Sequence, residues 1–169
     1  MKNLLIDVSN LSVMVDTFSG PLQVVRHMDL QLRRGEIVGL VGESGSGKSM
    51  TLASFMSLHD PDKTHTKGDR LHILGHDCLA FTEEDWRLLR GHQVAMIFQD
   101  PMTALNPILS IGQQLMEIMP KGQASMSKAI ELLTQVGLTD PARRVSQYPY
   151  ELSGGMRQRV VIAMALAGQ

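Results

Sequence analysis

The chain has 169 residues, with 16 Lys and Arg against 17 Asp and Glu for a net charge of -1, and 43% of it is hydrophobic. That is about one domain's worth of chain with enough apolar side chains for a buried core, which excludes disordered, collagen-like and low-complexity classes. The near-neutral charge and the few aromatics (one Trp, two Tyr, four Phe) argue against nucleic-acid binding by counterion release or base stacking.

The longest apolar run, 160–167, is far short of the roughly 20 residues of a membrane-spanning helix. The N-terminal apolar stretch breaks at Asp7, so no secretory signal is read there. Cys78 stands alone, which rules out an intrachain disulfide and makes a reducing compartment the default.

In chain order, residues 4–8 and 11–15 are β-type runs separated by Ser9-Asn10 and followed by Ser19-Gly20-Pro21, read as a hairpin. Met28, Leu30 and Leu32 alternate with polar residues, as in a half-buried strand. Gly35 then turns the chain into Ile37-Val38-Gly39-Leu40-Val41, which has no polar residue and predicts a parallel strand covered on both faces. Three glycines lead into helical spacing over 48–58, and 59–67, with Pro61, reads as a loop. A strand at 71–74 ends at Gly75, a helix runs from Thr82 to Arg90, and 94–98 predicts a second buried strand. Beyond Gln99 the pattern is helical: Pro101 and Pro107 bracket a loop, then helices follow at 111–119 and 127–136, a turn at Asp140-Pro141, and a core helix at 156–166.

Two stretches carry chemistry. Gly42-Glu43-Ser44-Gly45-Ser46-Gly47-Lys48-Ser49 fits G-x-x-x-x-G-K-[ST] and lies between an expected buried strand and a helix. Its glycines let backbone N–H groups turn toward phosphate oxygens, Lys48 would reach the β- and γ-phosphates, and Ser49 would ligate Mg²⁺. Leu152-Ser153-Gly154-Gly155-Met156-Arg157-Gln158-Arg159 opens the last helix: Ser153 is a good N-cap, and the glycines leave amides unobstructed for an anion.

With these two stretches in this order, the chain resembles the ATP-binding-cassette ATPases. The eight-residue loop matches their Walker A, 152–159 their L-S-G-G-x-x-Q-R signature, and Gln99, at the end of 94–98, their Q-loop glutamine. The stretch 94–107 and Tyr148-Pro149-Tyr150-Glu151-Leu152 look like the branch that imports dipeptides, oligopeptides and nickel. The resemblance implies an α/β fold: a P-loop NTPase core with an N-terminal antiparallel β-subdomain and an inserted helical subdomain, incomplete at the C-terminus. It divides the chain at 1–99 (β-subdomain and Walker A core), 100–152 (helical subdomain) and 153–169 (signature helix).

The same resemblance implies ATP and Mg²⁺ as cofactors, with Gly42, Glu43, Ser44, Gly45, Ser46, Gly47, Lys48 and Ser49 holding ATP in cis. Ser153, Gly154 and Gly155 would contact ATP held by a partner subunit, and Gln99 would touch Mg²⁺ and the attacking water. Implied partners are a second ABC ATPase subunit, transmembrane permease subunits and, indirectly, a substrate-binding protein, with no nucleic acid. The implied place is the cytoplasmic face of the membrane. Cargo selection in this family lies largely outside the ATPase.

Two departures from the family pattern bear on function. The position of the family's adenine-stacking aromatic holds Val15, with Phe18 three residues on as a substitute. The chain ends at Ala165-Leu166-Ala167-Gly168-Gln169, where the Walker B strand, with its Mg²⁺-holding Asp and catalytic Glu, would begin; the switch His lies beyond. A truncated, hydrolysis-deficient ATPase is therefore expected, with an open sheet edge and exposed apolar surface beside 37–41. Asp7 and Asp100 also follow apolar runs but sit at the wrong places for that Asp.

Other readings are weaker. His72, His76 and Cys78 straddle a strand end and are too few for a zinc site, and the twelve methionines read as core filler. A non-hydrolysing regulatory partner that lends Ser153 and Gly155 to a complete ATPase is the alternative function. A DNA-maintenance ATPase would need a basic surplus and coiled-coil heptads, which this sequence lacks.

Overall fold

Val8, Leu11 and Val13 are buried, yet their spacing of three and then two does not follow the alternation of a flat strand. In the computed structural model, which describes residues 4–100 and 103–168, the reason is a bulge. Asn10 has φ +54°, and its N–H donates to Asp29 Oδ1 at 2.7 Å, so the strand gains a residue and its inward face resumes at Leu11. Ser9-Asn10 is therefore not a hairpin turn, as the sequence had implied. One strand, β1 (Leu4–Thr17), runs through it and turns at Phe18-Ser19 into β2 (Gly20–Arg33).

The chain divides into two compact units, 1–87 and 88–169. In the first, β1 pairs antiparallel with β2, with β3 (Thr64–Lys67) and with β4 (Arg70–Ile73), and β4 pairs with β5 (His76–Asp77). Residues 64–67, expected as loop, are drawn into a strand because β1 extends far enough to offer them a ladder. Helix α1 (Lys48–Ser54) directly follows the glycine-rich loop, and α2 (Glu83–Leu89) has Thr82 and Asp85 bonded to each other at its start.

Neither expected buried strand forms. Residues 37–41 pair with no strand among the described residues, and Ile37 and Val41 are 97% and 93% exposed. Of 94–98, only Val94 makes a bridge, to Arg90, and Ile97 and Phe98 are half exposed. A strand buried on both faces needs ladder partners on its edges, and the described sheet supplies none to either stretch. The exposed apolar surface expected at 37–41 is present, but among the described residues no strand pairs with it.

The second unit is helical: α3 (Ile111–Ile118), α4 (Met126–Gln135), the single turn α5 (Pro141–Arg144) and α6 (Gly154–Ala167). Ile111 and Leu115 on α3, Ala129 and Leu133 on α4, and Val160 and Ala163 on α6 stand at helical spacings of three and four and share one core. Ser110 and Gln113 form a reciprocal capping box on α3, and Ser125 caps α4. Gly112 is required by close approach: a Cβ there would fall 2.8 Å from Val145 Cγ2 and 2.9 Å from Met126 Sδ. No helix among the described residues is long and apolar enough to cross a membrane.

Candidate functional site

The glycine-rich loop, 42–49, forms a turn at the start of α1. Gly45 and Gly47 have φ +81° and +86°, a region costly for side chains with a Cβ. Gly47 is doubly constrained, because a Cβ on it would lie 2.4 Å from the carbonyl oxygen of Val24 on β2. Glycine here lets strand and loop touch.

Lys48 sits at the centre of the turn. Its Nζ donates to the carbonyls of Gly42 at 2.8 Å and Glu43 at 2.6 Å, and to Ser46 Oγ at 3.3 Å. Ser46 N–H closes the loop on Glu43 O at 3.2 Å. The first amides of α1 have no carbonyl one turn earlier in the helix to pair with, so the loop offers N–H donors beside a cation held in place. Such an arrangement suits a polyanion.

Beside the loop lies a cavity of about 570 Å³, lined by residues 22–26 and Met28 of β2, by Leu40, Val41, Gly42 and Gly45, and by Ser46, Lys48 and Thr51. No Asp or Glu is among its lining residues, so it can hold phosphate charge but offers no carboxylate as a base. Val15 is not among them either: it pairs with Leu22 and Thr64 inside the sheet, and Phe18 is fully exposed in the β1–β2 turn. The β2 residues were not legible as site residues, since no motif marks them and only the packing of Gly47 on Val24 reveals their place.

The second unit carries the other candidate stretch. Ser153 Oγ accepts from Met156 N–H at 3.4 Å, capping the 14-residue α6. Cβ atoms on Gly154 or Gly155 would meet nothing within 4 Å, so this unit's own packing does not call for glycine at either position. A smaller cavity of about 280 Å³ is lined by Ser153, Gly155, Met156, Arg159 and the segment 137–139. Arg159 Nη1 donates to Val136 O at 3.3 Å and to Gly137 O, tying α6 to the end of α4, a clamp that sequence reasoning missed. Gln99 is exposed on a bend in the same unit.

The residues set aside stand elsewhere. Asp7 lies in the sheet, accepting from Arg70 Nη1 at 2.8 Å and Gln31 Nε2 at 3.2 Å, and the Arg70 hydrogen bond holds its carboxyl below the usual value. Asp100 O accepts from Thr103 Oγ1 at 3.0 Å in the loop after Gln99. His72 pairs in register with Asp77, while Cys78 is buried with Sγ donating to His76 O at 3.5 Å. No group of three or more His, Cys, Asp or Glu able to hold a metal is found among the described residues.

Comparison with known proteins shows the family. The family model for ABC transporters matches residues 25–169. The oligopeptide transport ATP-binding protein OppD of Bacillus subtilis (strain 168) is 42% identical over 168 residues, which is 96% of this chain and 47% of the relative. The dipeptide transport ATP-binding protein DppD of Escherichia coli (strain K12) is 45% identical, covering 96% of this chain and 51% of its own length. The dimeric structure of MJ0796, a bacterial ABC transporter cassette, superposes with a TM-score of 0.80 at 25% identity, covering 96% of this chain and 69% of that one. The chain thus spans about half the length of the curated relatives it matches.

Proposed function

The chain belongs to the ABC transporter family, and on that premise we propose that it is the nucleotide-binding portion of the ATP-binding subunit of a peptide importer. The names of its relatives, oligopeptide and dipeptide transport ATP-binding proteins, support the cargo class. The observation that carries nucleotide binding is the Lys48 ammonium held inside a turn that only glycine at position 47 can close.

In this reading the triphosphate lies along 42–49. Lys48 exchanges the carbonyls of Gly42 and Glu43 for β- and γ-phosphate oxygens, and the loop amides take the rest. The Ser49 hydroxyl would hold a Mg²⁺ that comes with the nucleotide and would supply neutralisation of phosphate charge, and Gln99 keeps the Mg²⁺- and water-contacting role that the family resemblance implies for it. Ser153, Gly154 and Gly155 present the start of α6 to nucleotide on a second ATPase subunit, and the open space around both glycines supports that role. Permease subunits dock on the pair at the cytoplasmic face of the membrane, and a substrate-binding protein delivers the peptide to them.

Thermal unfolding with and without MgATP tests the proposal. Ligand at 100 times its Kd adds about 2.7 kcal/mol. For a chain of this size that is a rise of roughly 5–10 °C. Lys48→Ala removes the rise, and Ser153→Arg keeps it. No rise, or an equal rise in Lys48→Ala, overturns the proposal.

A further inference from the structure

A regular strand turns every second side chain to one side, yet five consecutive residues of β2, 22–26, line the cavity. The register explains it. Val13 faces Val25 while Met14 faces Gln23, and Leu11 faces Met28, so β2 carries an extra residue at Val24 and another between Val25 and Met28. His27 marks the second irregularity with φ +45°. Bulges of this kind coil a strand and re-aim its side chains. Here Val24 O lies against Gly47, and Arg26 is among the β2 residues that line the cavity.

Arg26 is exposed, and among the described residues its guanidinium has neither a hydrogen bond nor an ion pair. It is one of two ionised lining residues, the other being Lys48, whose ammonium already has three oxygen partners. The free charged donors of the cavity therefore belong to Arg26.

We propose that Arg26 is a second phosphate-contacting residue, gripping the polyphosphate of a nucleoside di- or triphosphate from the strand side, opposite Lys48. This rests on the nucleotide-binding reading above. A guanidinium is a planar fork suited to two phosphate oxygens at once, and it loses less freedom per bond than an ammonium. No aromatic residue is among the described residues that line the cavity, so phosphate contacts carry a larger share of the affinity.

The test is equilibrium titration of ATP, ADP and AMP onto the full chain, comparing wild type with Arg26→Gln, Arg26→Lys and Lys48→Ala, with circular dichroism to verify folding. Arg26→Gln is expected to weaken ATP about tenfold, a typical loss for one charge-assisted contact, and AMP much less. Arg26→Lys is expected to recover part of the loss, which a purely packing role would not produce. Binding of ATP by Arg26→Gln within twofold of wild type, while Lys48→Ala loses it, overturns the inference and leaves the phosphate loop standing. No saturable binding by wild type, or equal binding by Lys48→Ala, overturns the phosphate-loop reading and this inference with it.

Discussion

Single residues here answer to different masters. Gly47 answers to sterics, since both its φ of +86° and the nearness of Val24 O exclude a side chain. Cys78 answers to burial: at 3% exposure its thiol is pushed up from 9.0 to about 11, first by desolvation, with the hydrogen bond from the Ile73 backbone opposing and the Asp77 charge adding. Because the folded state holds the proton more tightly, the associated stability is present below 9.0 and lost as pH rises through about 11. At pH 8 the native thiol should react with a disulfide reagent about a hundredfold more slowly than in the urea-unfolded chain, following its thiolate fraction. Equal rates in the two states would show that Cys78 is not buried.

At the scale of elements, the helical unit was the most legible. Helices at 111–118, 126–135 and 154–167 fall within two residues of expectation because apolar spacing, Ser caps and Gly137 are local signals. The strands were less legible for a physical reason. A bulge at Asn10 has the composition of a turn, and the apolar runs at 37–41 and 94–98 carry β-type chemistry without saying whether a ladder partner exists. The two phosphate-suited loops were visible as motifs, whereas Leu22, Val24 and Arg26 reach the cavity only through tertiary packing.

Another element has a polar lock that no pattern announced. Gln114 on α3 is 3% exposed, and its Nε2 donates to Asn106 O at 3.0 Å and Leu109 O at 2.9 Å, while its Oε1 accepts from Asn106 N–H at 2.8 Å. It fixes the loop that follows Gln99 onto the helical core. Gln114→Leu should cost about 1–2 kcal/mol, since the partly exposed backbone groups of Asn106 and Leu109 lose their partner and can turn to water. The urea midpoint by circular dichroism reads this, and an unchanged midpoint would show that the loop finds other partners.

At the scale of the whole molecule, the chain consists of two compact units. The first holds a cation and open amides in a glycine turn, and the second presents a capped 14-residue helix whose leading glycines face open space. Each half offers donors to an anion, and neither cavity closes around one. The apolar residues Ile37 and Val41, and Ile97 and Phe98, are exposed where the sequence had called for buried strands. The chain covers about half the length of relatives whose names describe ATP-binding subunits of peptide transport.

Amide hydrogen exchange with and without MgATP locates the nucleotide proposed for the glycine turn of the first unit. Protection should appear over 42–51 in wild type and be absent in Lys48→Ala, because both the loop amides and the first turn of α1 gain phosphate acceptors. Unchanged exchange over that segment at saturating MgATP, or the same protection in Lys48→Ala, would contradict the account.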